Sequence, residues 1–197
     1  KKKLFNDFVH LSSIKYWKKK CLDYQLYKKN WNGINIDLNP LTIELFNFSR
    51  PKDINLNTAL SRKSGIKKFY YFGEFSPLNT LDSNHLKFLK KNFNIKRNQY
   101  KIKKIKTKNI NFILNKYKLI VIDFLSIDLE GNEYEVLRDL NFKKYKKNLL
   151  SVEMLFHNPL SEKTSKKLDR LLIRNNFKFV YKTGVNYFYK NTKWNYL

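Results

Sequence analysis

The sequence predicts an α/β fold in which a mostly parallel sheet has helices on both faces and an antiparallel pair of strands at one edge. Three observations support this prediction. Short apolar segments alternate with amphipathic ones along the chain. Asp37 and Asp128 each end an apolar segment just before a helix signal, where open α/β sheets place their ligand-binding residues. Two aromatic segments joined through Gly184 have the two-residue period of a hairpin.

Length and composition favour one domain over residues 1–197, because 42% hydrophobic residues can bury one sizeable core. No apolar run approaches the roughly 18 residues that cross a bilayer. The single cysteine, Cys21, excludes an internal disulfide, and the three histidines lack zinc-site spacing, so no metal ligand is predicted. We expect a cytoplasmic protein. Because the chain begins with Lys1, we also expect it to start inside a longer reading frame.

The net charge is strongly positive, since 41 basic and 16 acidic residues give +25. Such a charge attracts polyanions through contacts that do not depend on sequence. The lysines are nevertheless spread over nearly every segment. Lys, Asn and Ile are all frequent in this chain, as AT-biased codon usage would produce. We therefore interpret the charge mainly as composition, with nucleic acid, acidic glycans and anionic membrane surfaces as the alternatives.

The first half of the chain contains two predicted helices and three predicted strands. Residues 16–30 place apolar side chains at intervals of three and four, which predicts an amphipathic helix. GINIDL follows as a strand, and Asn39 with Pro40 then starts a helix as N-cap and first helical residue. The segments INLNTALS, residues 54–61, and KKFYYFGEF, residues 67–75, are further strand candidates.

The second half continues the alternation. The basic segment KIKKIKTK, residues 101–108, has the period of a solvated edge strand. The elements predicted after it are, in order, a helix at 109–117, a strand at 119–131, a helix at about 133–145, a strand at 149–155, a helix at about 161–175 and paired strands at 177–183 and 185–191.

Four of the acids lie together in IDLEGNEYE, residues 127–135. Asn132 and Glu135 have the spacing of a capping box, and Glu133 adds negative charge to the first turn of the following helix. Both glutamates are therefore interpreted as structural.

The two preceding acids have a different position. Asp128 ends a buried strand, and Glu130 is predicted on the same strand face two residues later. A buried carboxylate at a strand end needs hydrogen-bond partners, which a ligand or the loop itself can supply. Functional and loop-bracing roles both remain open for Asp128 and Glu130, and Gly131 indicates a tight turn beside them.

Five segments, in this order, resemble the FkbM family of S-adenosylmethionine-dependent methyltransferases: WNGINIDLNPLTIELFNFSRP, INLNTALS, FSPLNTLD, IDFLSIDLEGNEYEVLRDLNF and LLSVEML. The resemblance covers about residues 15–190, and its most specific part is the pattern of Asp128, Glu130, Gly131 and Glu133 followed by VL and LNF. It implies the seven-stranded class I methyltransferase fold, which is Rossmann-like, and S-adenosylmethionine as cofactor. The implied reaction moves a methyl group to a hydroxyl of a sugar, glycan or small metabolite.

The resemblance also implies a cofactor site. Asp37 matches the acid that hydrogen-bonds the ribose hydroxyls of the cofactor, whereas a cap on the following helix is the structural alternative for this residue. Asn57 and Ala59 match the end of the third strand, near the usual position of the adenine. Asp128 is expected to border the same cofactor.

The implied catalytic residues follow the later strands. Asp128 and Glu130 match the motif beside the transferring methyl group, where a carboxylate can orient the acceptor hydroxyl or take its proton. Glu153 and His157 follow the next strand and are expected to reach the same cleft, although a lone histidine there is more often a surface residue.

One departure from the family concerns the N-terminal segment. Class I methyltransferases carry a glycine-rich loop after their first strand, and NDFVHLSSIKYW, residues 6–17, is predicted to occupy that place without any glycine. Side chains at 8–11 are then expected to crowd the cofactor, and residues 1–15 to be diverged or incomplete. Three hypotheses follow: an O-methyltransferase, an inactive methyltransferase-fold scaffold, or a basic RNA-binding methyltransferase.

Overall fold

The computed structural model describes residues 7–11, 22–74, 76–154 and 159–194, and it has a mixed α/β architecture. A seven-stranded sheet has the order β3-β2-β1-β7-β8-β10-β9. Its strands are β1 Asp7–Leu11, β2 Asn32–Asp37, β3 Ile54–Asn57, β7 Val121–Ile127, β8 Lys146–Glu153, β9 Phe177–Thr183 and β10 Asn186–Asn191. The first five pair in parallel, and β10 pairs antiparallel with both β8 and β9.

A second, three-stranded sheet has the order β4-β6-β5. Its strands are β4 Ala59–Leu60, β5 Gly65–Tyr71 and β6 Lys101–Lys108. The chain reaches it directly from β3, because only Thr58 separates β3 from β4. The second sheet therefore starts at the carboxyl-terminal edge of the main sheet, next to the end of β2.

Six helices connect the described strands: α1 Leu22–Lys28, α2 Pro40–Ser49, α3 Ser83–Phe93, α4 Ile110–Lys116, α5 Glu133–Leu137 and α6 Pro159–Arg174. Asn39 caps α2 as predicted, since its side chain accepts a 2.9 Å hydrogen bond from the Leu41 amide. Asn109 caps α4 in the same way through Asn111. None of the helices in the described ranges is both long and apolar enough to cross a membrane.

The direction of the chain changes at β1. From β1 the chain moves outward to β2 and β3, whereas β7 lies on the other side of β1 and leads to β8. Right-handed crossovers in opposite directions would place helices on both faces of the sheet. The predicted placement of helices on both faces is therefore consistent with the strand order. The reversal also creates the position where open α/β sheets bind their ligands.

The N-terminal prediction was wrong in one respect. Residues 8–11 do not form a cofactor loop, because they belong to β1 and pair with β2 on one side and β7 on the other. The predicted crowding of the cofactor by these side chains assumed a loop at this place, and it stays a prediction. The glycine-free connection to α1 consists of residues 12–21, which lie outside the described residues, as does the first part of the helix predicted from residue 16.

The structure corrects other boundaries as well. INLNTALS forms two strands in different sheets, and α3 was not predicted at all. KIKKIKTK is the strand β6, yet it is the central strand of its sheet and not an edge. The helix predicted at about 133–145 ends at Leu137. The hairpin of β9 and β10 is confirmed, and Gly184 has the positive φ of 58° that its tight turn requires.

A buried polar network holds β2 in place beside β3. Asp53 accepts hydrogen bonds from the Gly33 amide at 2.9 Å and from the Asn35 side chain at 3.1 Å. Asn35 in turn accepts a bond from the Arg50 guanidinium at 3.1 Å and donates one to Asn55 at 2.7 Å. Because buried polar groups with partners define a single arrangement, this network sets the position of β2, the strand that ends at Asp37.

Candidate active site

A cavity of about 270 Å³ lies at the carboxyl-terminal edge of the main sheet, under the second sheet. Its apolar wall comes from both sheets, with Ile36, Leu60, Phe69 and Ile105 among the lining residues. Its polar lining includes Asp37, Asn39, Glu74, Asn79, Thr80, Lys103 and Asn132. A concave apolar site with a few converging polar groups is the usual form of a small-molecule site.

Asp37 is the last residue of β2 and is 2% exposed. Its Oδ1 accepts a 2.7 Å hydrogen bond from the Asn39 amide, so the carboxylate also braces the turn into α2. Asp37 thus braces the start of the following helix, as the structural alternative expects, and it also lines the cavity. A carboxylate has about four acceptor positions, which lets one group brace a turn and bind a diol.

The two other residues predicted at this end differ in position. Ala59 is buried and lines the cavity. Asn57 is not among the lining residues, because its side-chain amide donates to the backbone carbonyls of Asp37, at 3.2 Å, and Leu38, at 2.9 Å. Asn57 therefore links β3 to the end of β2 and holds the backbone of Asp37 without contacting the cavity.

Asp128 comes directly after β7, at the same height in the sheet as Asp37. Leu11 of β1 pairs with Ile36 and with Ile127, so each aspartate is one residue beyond that level. The two strand ends are not direct neighbours in the sheet, because β1 lies between them. Two strand spacings place their Cα atoms about 10 Å apart.

The connection from β7 to α5 is a tight turn. Glu130 is not on the strand, which corrects the prediction, and both Glu130 and Gly131 have positive φ, of 48° and 96°. A glutamate in this conformation stores strain of roughly 1–2 kcal/mol. Glu130 is 6% exposed, and its carbonyl accepts a 3.1 Å hydrogen bond from the Thr80 hydroxyl.

The predicted capping box is absent. Asn132 makes no side-chain cap and donates instead to the Leu60 carbonyl at 3.0 Å. Glu135 pairs with Arg138 on the surface at 3.0 Å. Glu133 is structural in a different way, because its Oε1 accepts bonds from the Leu129 amide at 2.7 Å and the Gly131 amide at 3.2 Å. Glu133 therefore holds the turn that carries Asp128 and Glu130.

Three buried carboxyl groups lie close together at this turn. Asp128, Glu133 and Glu153 each offer an oxygen, and these oxygens lie within 4.8 Å of one another. Glu153 is the last residue of β8, and together with Glu133 it also lines a small pocket of about 40 Å³ beside His85. His157, the remaining predicted catalytic residue, lies outside the described residues.

The grouping of carboxyl groups changes their proton affinity. Burial raises the pKa of the Glu133 carboxyl to about 7, and the charge of Asp128 adds to the rise, while the backbone hydrogen bonds oppose it. A carboxyl group with this pKa is protonated part of the time at neutral pH. The cluster can therefore exchange a proton near pH 7, and three oxygens at this spacing would also suit a hard cation.

Sequence reasoning missed the residues that the second sheet contributes. Phe69, Tyr71, Lys103 and Ile105 line the cavity, although β5 and β6 are far from Asp37 in sequence. KKFYYFGEF was predicted as a strand, but no local signal showed what that strand would cover. Glu133 was interpreted as a negative charge in the first turn of the helix, and its hydrogen bonds to the Leu129 and Gly131 amides were not predicted.

A family model, the Methyltransferase FkbM domain, matches residues 19–179. The chain belongs to the FkbM methyltransferase family. The match spans α1 through the first three residues of β9 and thus includes the cavity, the turn after β7 and the three carboxyl groups. No curated protein and no solved structure matches the chain.

Proposed function

We propose that this FkbM-family chain is an S-adenosylmethionine-dependent O-methyltransferase with a Rossmann-like class I fold. The acceptor we propose is a hydroxyl of a sugar, glycan or small metabolite, and the expected location is the cytoplasm. The observation that carries the proposal is the cavity that joins Asp37 to apolar walls from both sheets. Family membership supports methyl transfer. The carboxyl groups of Asp128 and Glu130 do not line the cavity themselves, but Leu129 and Asn132 of the turn that carries them do, and this supports a hydroxyl acceptor.

The cavity fits the adenosine part of the cofactor. Its volume of about 270 Å³ is near the lower end of the roughly 300–1,000 Å³ of small-molecule sites, so it accommodates part of the cofactor. Leu60, Phe69 and Ile105 provide an apolar space for the adenine, next to Ala59. Asp37 would hold the two ribose hydroxyls. The methionine part would extend toward the end of β1, where residues 12–21 lie outside the described residues.

S-adenosylmethionine, when bound, supplies an electrophilic methyl group. The acceptor oxygen must lose its proton as it gains the methyl group, which requires a nearby base. We assign the orientation of the hydroxyl and the acceptance of its proton to Asp128, with Glu130 and Glu153 as the other carboxylates of the site. Glu133 positions the turn that carries Asp128. The assignment of His157 stays a prediction.

Calorimetric titration with S-adenosylmethionine tests the cofactor site. We expect the native chain to bind and Asp37→Asn to bind about 10- to 100-fold more weakly, because a charge-assisted hydrogen-bonded pair contributes roughly 1.5–3 kcal/mol. Glu135→Gln is the matched control, since it also neutralises one acid but lies on the surface. Equal affinities for the native chain and Asp37→Asn would contradict the assignment.

An inactive methyltransferase fold is the second candidate, and one observation favours it. The sequence contains no glycine before Gly33, so the connection between β1 and α1 lacks the glycines through which backbone approaches the methionine part. The same titration separates the candidates. Low micromolar binding by the native chain would exclude this reason for inactivity, whereas absence of binding would favour the inactive fold.

A further inference from the structure

The strands β5 and β6 form a plate with two different faces. The inner face carries Phe69, Tyr71, Lys103 and Ile105, which line the cavity. The register places Ile66 opposite Lys106, Lys68 opposite Lys104 and Tyr70 opposite Ile102 on the outer face. Five of these outer residues are exposed, namely Ile66, Lys68, Ile102, Lys104 and Lys106, and we call them the lysine face.

The lysine face has no acidic neighbour within its own sheet. The strands β4, β5 and β6 contain no Asp or Glu, and Lys68 and Lys104 are directly opposite each other, an arrangement that destabilises a sheet. Among the described residues, ion pairs form elsewhere, as between Arg62 and Asp139 at 3.0 Å, but not on this face.

The positive charge is also uneven along the chain. The 40 residues from 83 to 122 include twelve lysines and arginines and no acid, while all 16 acids of the chain lie in the other 157 residues. Compositional bias alone would distribute both signs. The folded chain brings β6 from this acid-free segment beside the lysines of β5.

We propose that the lysine face docks the protein on an anionic lipid membrane. Lysines near an anionic bilayer are attracted to its surface, and apolar side chains among them can enter the headgroup region. Ile66 is 70% exposed and Ile102 is 42% exposed, so both aliphatic side chains stand among the lysines in contact with water. The area combines the charge and the apolar groups that such a surface binds.

Single-stranded nucleic acid fits this face less well. Proteins that bind it without sequence preference combine positive charge with aromatic rings on which bases stack. The aromatic side chain of this face, Tyr70, packs edge-on against Tyr100, with 6.1 Å between the ring centroids. Tyr100 is itself 5% exposed. The exposed apolar groups of the face are aliphatic, which favours lipid.

Docking in this orientation would place the membrane over the outside of the plate whose inner face lines the cavity. The proposal does not depend on methyl transfer, because vesicle binding can be measured without cofactor or acceptor. Its failure would leave the proposed function unaffected.

Flotation with phosphatidylcholine vesicles, with and without phosphatidylserine, tests the proposal on the full chain. We expect binding to vesicles that contain phosphatidylserine and a loss of binding as salt is raised. Replacing Lys68, Lys104 and Lys106 by Gln should weaken binding about a hundredfold, since each lysine near an anionic surface contributes roughly fivefold.

The matched control replaces Lys143, Lys178 and Lys190 by Gln, which also lowers the net charge by three, from +25 to +22. Lys178 and Lys190 pair with each other at the level of Leu149, toward the opposite edge of the main sheet. This variant should retain nearly native binding. Equal losses in the two triple variants would show that net charge alone drives binding and would overturn the proposal.

A second pair of variants tests the apolar groups. Ile66→Ser with Ile102→Ser should reduce vesicle binding, whereas Ile120→Ser with Ile173→Ser, at positions 54% and 56% exposed, should not. Circular dichroism melting of each variant checks that it is folded. Oligouridylate is the competing probe: tighter binding to it than to vesicles, lost in the Lys68, Lys104 and Lys106 variant, would overturn the lipid assignment in favour of RNA.

Discussion

At the scale of single residues, buried ionisable side chains decide much of the stability and the chemistry of this chain. Lys147 is 1% exposed, its ammonium donates to the Tyr145 carbonyl oxygen, and it lies 4.4 Å from the ring centroid of Phe142. No carboxylate among the described residues lies within ion-pair distance of it. Burial lowers the pKa of Lys147 from 10.5 to about 7.

This lowered pKa predicts how stability depends on pH. Between about pH 7 and 10.5 the unfolded chain binds the Lys147 proton and the folded chain does not, so the free energy of unfolding rises with pH in this window. Lys147→Met should raise stability at pH 7 by roughly 1–3 kcal/mol and remove this slope. Urea denaturation across the window measures both effects, with the exposed Lys146→Met as control. Equal slopes in native chain and Lys147→Met would contradict the prediction.

For Asp128 we predict an effect on activity and not on stability. Asp128→Asn should abolish methyl transfer and leave stability unchanged or slightly higher, because it removes one negative charge from beside Glu133. Activity assays and thermal melting, with Glu135→Gln as control, measure the two effects. A loss of stability beyond roughly 2 kcal/mol would instead make Asp128 a structural hydrogen-bonding centre.

At the scale of elements, the connection from β7 to α5 depends on Glu133. Its carboxyl accepts the Leu129 and Gly131 amides and so holds a turn with two successive positive φ values. Thr80, which forms an isolated bridge with Tyr70 of β5, donates its hydroxyl to the Glu130 carbonyl in the same turn. The turn therefore joins the sheets as well as presenting Asp128.

Two substitutions of Glu133 separate its charge from its hydrogen bonds. The pKa of Glu133 is about 7 in the folded chain, against an ordinary value of 4.5 for an exposed glutamate. Between pH 4.5 and about 7 the folded chain therefore binds more protons than the unfolded chain, and stability falls as pH rises through this window. Glu133→Gln keeps an acceptor and should remove that slope. Glu133→Ala leaves two amides without their acceptor and should cost roughly 2–4 kcal/mol at pH 7. Denaturation at several pH values tests both, and equal effects of Gln and Ala would contradict this account.

At the scale of the whole molecule, the two sheets share one cavity and one set of connecting hydrogen bonds. Asn132 reaches from α5's start to the Leu60 carbonyl of β4 at 3.0 Å, and Arg62 pairs with Asp139. Leu60 also belongs to the hydrophobic core of the main sheet, with Ile36, Ile127 and Val136. These contacts favour one cooperative unit, and the single domain over residues 1–197 stays a prediction.

Calorimetry tests this cooperativity. We expect one unfolding transition whose calorimetric and van't Hoff enthalpies agree. S-adenosylhomocysteine should shift that transition upward as a whole, because both sheets line the cavity that we assign to the cofactor. Two separate transitions, with only one moved by ligand, would show that the second sheet unfolds independently.

The sequence by itself determined the features that depend on near neighbours along the chain. The cap at Asn39, the hairpin at Gly184 and the positions of Asp37 and Asp128 at the ends of apolar strands were all predicted. Each follows from the conformational preference of one or a few residues. The family motif around Asp128 is of the same local kind, and the family match confirms it.

Only the tertiary structure decided which strands meet. DFVHL lacks any strong local signal, yet it is an interior strand of the main sheet, since β2 and β7 supply its partners from distant parts of the chain. INLNTALS divides between two sheets for the same reason. The cavity under the second sheet and the grouping of Asp128 with Glu133 and Glu153 required those pairings. Strand pairing and side-chain burial are properties of contacts far apart in sequence, so local propensity does not specify them.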